Sequence, residues 1–307
     1  MFNKALITIG DKEFLSLYGI CIAIGVLCCV LVLFKFAKGR VKESFIDFLF
    51  YNGIAAIAIG FFAATLFQSF YNYLDNPEAG WQWGGMTFIG GLIGGVVSFL
   101  AGYFIFRPKL QGRLVDIISL IPSCILIAHA FGRIGCLFAG CCHGFKMDGF
   151  PGIWMEPNGE VAGYYFPTQL VEALFLFAMF GVCLWLYLKK GFKHNLSLYL
   201  LSYGIFRFFI EYARGDERGT FVAGMSPSQF WSIVMVVASV GVYFLLEFAF
   251  KKRAEELALA NQNSDGVESK NNQNETVEEN QPEENKPVEE SLNEQSVLKD
   301  EKENEEV

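Results

Sequence analysis

Charged residues are scarce in this sequence, and the few that occur stand close together. Asp, Glu, Lys and Arg make up 18% of the 307 residues, whereas 53% are hydrophobic. A soluble domain needs charge spread over its surface, so this composition excludes one for most of the chain. Apolar segments of roughly 20 residues, the length that crosses a ~30 Å hydrocarbon core, predict an all-α polytopic membrane protein with about seven transmembrane helices. These segments are residues 14–36, 45–70, 84–106, 114–138, 167–188, 196–213 and 227–250.

Several familiar signals are missing, and each absence excludes a class of protein. The glycine-rich segment 84–95 has no lysine placed as in a nucleotide-binding loop, which excludes that motif. The first apolar segment is too long for a signal-peptide core and lacks a cleavage pattern, so we expect it to be retained as a span. No second Cys-x-x-Cys pair accompanies the cysteines near residue 140, which argues against a standard zinc site. We therefore expect no metal, no cofactor and no nucleic-acid partner.

In every second connection between the predicted helices, basic residues are absent or outnumbered by acidic ones. Segment 71–83 carries Asp75 and Glu78 with no Lys or Arg, and segment 144–166 carries one lysine against three acidic residues. The remaining connections are basic, and positive charge marks the cytoplasmic side of a membrane protein. The sequence therefore predicts an N-terminus outside and a C-terminus in the cytoplasm. The cytoplasmic basic residues are Lys35, Lys38, Arg40, Lys42, Arg107, Lys109, Arg113, Lys189, Lys190, Lys193, Lys251, Lys252 and Arg253.

The end of the chain differs in composition from the rest. Residues 254–307 hold 17 acidic and 4 basic residues with few aromatic or β-branched ones. Such a segment buries too little apolar area to offset the entropy of ordering. We expect a disordered acidic cytoplasmic tail in residues 254–307, after a transmembrane domain in residues 1–253.

Ionisable residues recur inside the apolar segments, although each costs at least roughly 2.5–3.5 kcal/mol at the centre of a membrane helix. In three segments they are spaced three or four apart, so that each group shares one helix face. Structural ion pairs between helices are one interpretation. Because arginines outnumber carboxylates, we favour a site whose remaining positive charge binds an anion, most readily the phosphate of a lipid headgroup. The groups are His129, Arg133 and Cys136; Gln169 and Glu172; and Arg207, Glu211 and Arg214.

Two further motifs leave alternatives open. Cys136, Cys141, Cys142 and His143 are ligand types that suit zinc or copper, but adjacent cysteines make joint coordination awkward. A redox-active pair and a plain structural role are the other interpretations. The glycines of segment 84–95 either allow close helix packing or let backbone N–H groups approach a headgroup.

Six sequence stretches, taken in order, resemble one family, the bacterial prolipoprotein diacylglyceryl transferases. The resemblance covers nearly all of the chain up to about residue 250. The stretches are Tyr18-Gly19, GGMTFIGGLIGG at 84–95, Asp116, GRIG at 132–135, FPTQLVEAL at 166–174 and YGIFRFFIEYARGDERG at 203–219.

The resemblance implies an enzyme that transfers the diacylglyceryl group of phosphatidylglycerol to the lipobox cysteine of a prolipoprotein signal peptide. It implies phosphatidylglycerol, prolipoprotein signal peptides and membrane lipids as partners, and the bacterial plasma membrane as the location. The expected catalytic residues are Arg133, Arg207, Glu211 and His129, with the arginines on the phosphate and Glu211 orienting Arg207. The expected substrate-binding residues are Tyr18, Gly90, Gly91, Gln169, Glu172 and Arg214.

This sequence departs from the family pattern at four positions. The histidine of the family's His-Gly-Gly is Ile89 here, and Cys136, Ala139 and Cys141 stand for Asn, Asn and Glu. His129 or His143 could supply the missing imidazole. Two other functions fit the same scaffold: a non-enzymatic protein that binds or moves an anionic lipid or small anion, and an outward-facing enzyme that uses the three cysteines.

Overall fold

A computed structural model describes residues 7–9, 12–157, 160–215 and 224–278, and the chain is helical over most of them. The architecture is that of a polytopic membrane protein. The helices are α1 (Leu17–Ala37), α2 (Glu43–Asp75), α3 (Phe88–Phe106), α4 (Ile121–Ala139), α5 (Thr168–Trp185), α6 (Asn195–Ile210) and α7 (Pro227–Glu278).

Six of the helices in the described part of the chain are long and apolar enough to cross a membrane. The sequence predicts seven crossings, and α6 accounts for the difference. It has 16 residues, fewer than the predicted segment 196–213, because the chain tightens into a 3-10 turn at Glu211–Ala213. The orientation of the helices stays a prediction from the loop charges.

Local sequence sets where several helices begin and end. The Ser16 hydroxyl accepts a hydrogen bond from the Gly19 amide at 3.2 Å and caps α1. Helix α4 begins later than the predicted segment 114–138, since Leu114–Asp116 forms a 3-10 turn and Pro122 stands in the first turn of the helix. Gly140, with φ +67°, ends α4.

The chain divides into two compact units, Met1–Arg253 and Ala254–Val307. The described part of the second unit is helical as far as Glu278, where the sequence predicts disorder. Residues 254–260, AEELALA, consist of strong helix formers, so local propensity accounts for the first turns of this part. Residues 279–307 of the predicted tail lie outside the described residues.

Small residues bring α2 and α3 together. A Cβ atom at Gly60 would lie 3.0 Å from the Gly91 carbonyl oxygen, and one at Gly91 would lie 3.3 Å from Ala64 Cβ. A Cβ at Gly90 would lie 2.6 Å from Phe67 Cβ. The glycine-rich segment therefore packs against α2, as small residues do between membrane helices.

Helices α4 and α5 are joined by a connection that contains a small antiparallel sheet. Its strands are β3 (Lys146–Met147), β4 (Ile153–Met155) and β5 (Gly163–Tyr165), in the order β3-β5-β4. A separate antiparallel pair, Ile7–Ile9 with Lys12–Leu15, precedes α1. The sequence predicts no strands, because runs of two to four residues are too short to give a pattern.

Polar contacts fasten the helices at the end opposite this sheet. Arg253 donates hydrogen bonds from Nε and Nη2 to the two carboxylate oxygens of Asp116, both at 2.9 Å. Asn195 Nδ2 donates to the carbonyl oxygens of Ser119 at 3.0 Å and Cys183 at 2.9 Å. These contacts fasten α5, α6 and α7 to the segment that precedes α4, which helps to position the polar groups near the other end.

Candidate functional site

The carboxylate of Glu172 is the centre of a buried polar cluster between three helices. Its Oε1 atom accepts a hydrogen bond from the Tyr203 hydroxyl at 2.7 Å and lies 3.0 Å from Arg133 Nη2. His129 Nε2 lies 3.9 Å from the same oxygen. Glu172 is only 1% exposed, so the charge of Arg133 is what makes its ionised form tolerable there. Helix α4 thus supplies two residues of the cluster, α5 one and α6 one.

The spacing of His129 and Arg133 explains why both reach Glu172. Residues four apart lie one above the other on a helix face, and α4 turns that face towards α5 and α6. The imidazole of His129 also packs edge to face against the Tyr203 ring, with 5.1 Å between centroids. The predicted polar face of α4 is therefore present in the structure and directed into the bundle.

A second cluster forms where α6 ends and α7 begins. Arg207 Nη2 lies 2.7 Å from Glu211 Oε2 and donates a hydrogen bond to Ser228 Oγ at 2.9 Å. The hydroxyl of Ser226 donates to Glu211 Oε1 at 2.8 Å, and Arg214 Nε lies 3.8 Å from Glu211 Oε2. Glu211 is thus shared between two arginines and fixed by a serine of the next segment.

The two clusters are neighbours on α6. Arg207 follows Tyr203 by four residues, so both side chains project from one face of this helix. The charges of Arg133 and Arg207 both act on His129 and on Tyr203. Arg133 and Arg207 therefore bear on the same small region of the bundle interior.

Both arginines keep a buried N–H group that no described residue satisfies. Nε of Arg133 and Nη1 of Arg207 are shielded from solvent and find no hydrogen-bond acceptor among the described residues. Buried donors are nearly always paired, and one left without an acceptor costs roughly 1–3 kcal/mol, more when charged. The two guanidinium groups are therefore suited to an acceptor that comes from outside the chain, such as a phosphate oxygen.

Gln169 is engaged with the connection that follows α4. Its Nε2 atom donates to the Cys141 carbonyl oxygen at 2.7 Å, and the neighbouring Thr168 hydroxyl donates to the Cys142 carbonyl oxygen at 2.7 Å. The Gln169 Oε1 atom is buried and has no donor within the described part of the chain. The first turn of α5 is thus fastened to residues 141–142, which positions Glu172 one turn further on.

The structure places Tyr18 beside α4, and the two glycines away from the clusters. Tyr18 packs on Gly135, where a Cβ atom would lie 3.1 Å from Tyr18 Cδ2, and its hydroxyl interacts with the charge of Arg133. Gly90 and Gly91 face α2, so the geometry favours the packing interpretation for them, and a role in substrate binding stays a prediction. The side chain of Ile89 is outside the described residues.

Three residues of the clusters were not expected from the sequence. Tyr203, Ser226 and Ser228 all hydrogen-bond to predicted site residues. A signal for Tyr203 existed, since it stands one helical turn before Arg207 on an otherwise apolar helix. The serines offered none, because their partners lie across a connection whose path the sequence does not reveal.

Three cysteines at the end of α4 and just after it form a group of their own. The Sγ atoms of Cys136, Cys141 and Cys142 all lie within 4.8 Å of one another, and none of the three is in a disulfide. Hydrogen bonds from the thiols of Cys136 and Cys141, together with the Arg214 guanidinium, lower the pKa of the Cys142 thiol despite its burial. The group adjoins the Glu172 cluster, since Cys136 interacts with the charge of Arg133.

His143 and His194 lie apart from Glu172. His143 is buried in the connection between α4 and α5, where Nε2 lies 3.3 Å from Glu160 Oε1 and the ring packs on Tyr165. His194 binds Glu247 at 2.9 Å near the opposite end of the bundle. His129 is therefore the histidine that the structure brings to the arginines.

The bundle of membrane helices, with two arginines, a buried carboxylate and a histidine in its interior, defines a polytopic membrane protein with a buried polar site. A model of the family described as prolipoprotein diacylglyceryl transferase matches residues 4–245, and the chain belongs to this family.

Named relatives agree with the family match. The chain is 32% identical over 240 residues to the phosphatidylglycerol–prolipoprotein diacylglyceryl transferase of Clostridium tetani, which covers 75% of this chain and 93% of the relative. It is 29% identical over 248 residues to a second such transferase of Clostridium perfringens, covering 78% and 94%. A relative of the same name from Neisseria meningitidis is 29% identical over 290 residues, covering 82% and 98%. The family match therefore spans α1 to α6 and the first part of α7.

Proposed function

We propose that this chain transfers the diacylglyceryl group of phosphatidylglycerol to the cysteine of a prolipoprotein signal peptide, in the plasma membrane of a bacterium. The observation that carries the proposal is the pair of buried N–H groups on Arg133 and Arg207 without an acceptor in the described chain. A phosphodiester between two such groups would receive one hydrogen bond from each. The family and the names of the relatives support the same reaction.

The reaction joins the peptide sulfur to a glycerol carbon. The thiolate attacks that carbon and forms a C–S bond. The bond between the same carbon and the phosphate oxygen breaks, and its electron pair stays on that oxygen. Glycerol phosphate leaves with one more negative charge than the phosphodiester carried. Fixed cations in a site without water stabilise this new charge best, because they need no reorganisation as it develops. Arg133 and Arg207 fill this role in the proposal.

The carboxylates hold the arginines in position. Glu172 fixes Arg133 at 3.0 Å, and Glu211 fixes Arg207 at 2.7 Å, so that neither guanidinium has to be ordered when the lipid enters. A preorganised planar fork loses less entropy on binding than a free side chain. Three arginines, Arg214 included, face two glutamates, and the remaining positive charge matches one phosphodiester.

His129 is the proposed acceptor of the thiol proton. It stands on the same helix face as Arg133, one turn away, whereas the other two histidines are bound to Glu160 and Glu247. A neutral imidazole can accept a proton as the thiol reacts and release it after the product leaves. It would replace the family histidine whose position is Ile89 in this chain.

Complementation tests the proposed function. The chain is expressed in a bacterium depleted of its own transferase, and the mass of a reporter lipoprotein is measured. We expect the mass to increase by one diacylglyceryl group. Full-length protein in the membrane with an unmodified reporter would contradict the proposal. If the purified protein then bound phosphatidylglycerol from vesicles without turnover, the non-enzymatic alternative would be favoured.

A matched pair of variants ties the result to the site. Arg207→Lys should lose most of the modification, while Arg107→Lys, in the connection after α3, should keep it. An equal loss of reporter modification in both variants would show only that less of the protein is present. The abundance of each variant in the membrane is therefore measured in the same samples.

A further inference from the structure

Three cysteines converge at the end of α4, and the reaction proposed above uses none of them. The sulfurs of Cys136, Cys141 and Cys142 lie within 4.8 Å of one another. None of the eight cysteines is in a disulfide, so no disulfide accounts for this approach. Among the described residues no other group of His, Cys, Asp and Glu has this geometry.

The backbone after α4 explains how adjacent cysteines can point to one place. The Cys141 amide donates to the Cys136 carbonyl oxygen at 3.2 Å, which folds the chain back over the last helical turn. Cys142 has φ +64°, a left-handed conformation that a residue with a Cβ atom seldom adopts. The sequence alone made joint coordination by Cys141 and Cys142 awkward, and this left-handed residue removes the difficulty.

The spacing suits one small soft ion. Metal–thiolate bonds of about 2.3 Å in a trigonal plane set the sulfurs about 4 Å apart. The sulfurs lie within 4.8 Å of one another, so each pair would have to close by less than about 1 Å. Thiolates select copper(I) and zinc(II) over harder cations such as magnesium or calcium. A disulfide would use only two of the three sulfurs and would leave the third unexplained.

Cations flank the group and favour the negative charge that a three-thiolate centre carries. The charge of Arg214 acts on Cys142, and the charge of Arg133 acts on Cys136. His143 does not complete the group, because its ring nitrogens lie against the Gly144 carbonyl oxygen and Glu160. The chain therefore offers three sulfur ligands, which is the complete set for copper(I) and leaves the fourth position of zinc(II) to an external ligand.

We propose that Cys136, Cys141 and Cys142 bind one soft metal ion, copper(I) or zinc(II), beside the lipid site and without a part in the transfer reaction. Copper(I) would bind in a three-coordinate plane. Zinc(II) would add a water molecule or another small ligand. In either case the ion clamps the connection after α4 to the last turn of that helix.

Metal binding by the purified full-length chain tests this proposal. The protein is stripped with a chelator under reducing conditions, titrated separately with copper(I) and zinc(II), freed of excess metal and assayed for bound metal by mass spectrometry. We expect one equivalent of at least one of these ions per chain. The Cys136→Ala, Cys141→Ala, Cys142→Ala triple variant should retain none. A matched triple variant, Cys28→Ala, Cys29→Ala, Cys124→Ala, removes the same number of thiols elsewhere and should retain the full equivalent.

A measurement on the unmodified chain covers the case in which a variant does not fold. Bound metal should protect Cys136, Cys141 and Cys142 from alkylation, and the chelator should abolish that protection, as read by peptide mass. No bound metal in the unmodified chain, equal metal content in the two triple variants, or alkylation of the three thiols unchanged by metal would each overturn the proposal. A disulfide among the three in protein isolated without reductant, together with no metal uptake after reduction, would replace it with the redox interpretation.

Discussion

The hydroxyl of Tyr203 donates a 2.7 Å hydrogen bond to the Oε1 atom of Glu172, which also lies 3.0 Å from Arg133. One carboxylate oxygen thus receives a donor from α6 and a cation from α4. Tyr203 and Arg207 share a face of α6. Through Glu172, the two contacts therefore fix α6, which carries Arg207, relative to α4, which carries Arg133.

Replacing either arginine by lysine should lower lipidation strongly. A lysine keeps the charge but loses the planar fork, and removal of one preorganised donor from a transition-state site typically costs on the order of 10²–10³ in turnover. We expect a loss of this size for Arg133→Lys and for Arg207→Lys, measured as lipidation of a lipobox peptide in membranes. The Cys136→Ala, Cys141→Ala, Cys142→Ala variant should stay active, because the peptide supplies the reacting sulfur. Active lysine variants beside an inactive cysteine variant would favour a thiol enzyme instead.

Tyr203→Phe should reduce turnover about 10-fold while the protein stays folded. The change removes the hydrogen bond to Glu172, and a hydrogen bond to a charged group contributes roughly 1.5–3 kcal/mol. The phenyl ring keeps its packing on His129. We expect kcat to fall with little change in the KM for phosphatidylglycerol, since Tyr203 positions Arg133 through Glu172. Tyr199→Phe is the control, because its ring stacks on Tyr203 but its hydroxyl has no hydrogen bond among the described residues.

Gly90→Ala separates the packing role of the glycine segment from a binding role. The new Cβ atom would lie 2.6 Å from Phe67 Cβ, and such overpacking costs typically about 1–3 kcal/mol. We expect a lower Tm with unchanged activity per folded molecule. Gly53→Ala in α2 meets nothing within 4 Å and should be neutral or slightly stabilising. A raised KM for phosphatidylglycerol at an unchanged Tm would instead support headgroup binding by Gly90.

The loop charges predict that the connection between α4 and α5 faces outward. They also predict that the tail from residue 254 onward lies in the cytoplasm. Val161→Cys and Leu259→Cys place thiols at exposed positions. The loop charges predict that the first lies outside the cell and the second in the cytoplasm. A membrane-impermeant thiol reagent should label the first and not the second in intact cells, with labelled peptides identified by mass. Labelling of the second alone would reverse the orientation.

Helical spacing was sufficient to predict the groups on α4, α5 and α6, because a polar side chain in a membrane helix must face the interior. It could not predict which groups meet. Glu172 pairs with Arg133 and Tyr203 through the packing of three helices, and the sequence gives no measure of that packing. The sheet between α4 and α5 was missed because its strands are so short. The left-handed conformation of Cys142 depends on the fold of the connection, so the approach of the three sulfurs could not be anticipated.

Thr168 and Gln169 hold the connection after α4 through the carbonyl oxygens of Cys141 and Cys142. Every amino acid has that oxygen, so the anchor does not depend on which side chains stand at positions 141 and 142. Evolution can therefore exchange the side chains of this segment while the first turn of α5, and Glu172 with it, stays in place. Cys141, at a position where the family has glutamate, is a substitution that such a backbone anchor tolerates.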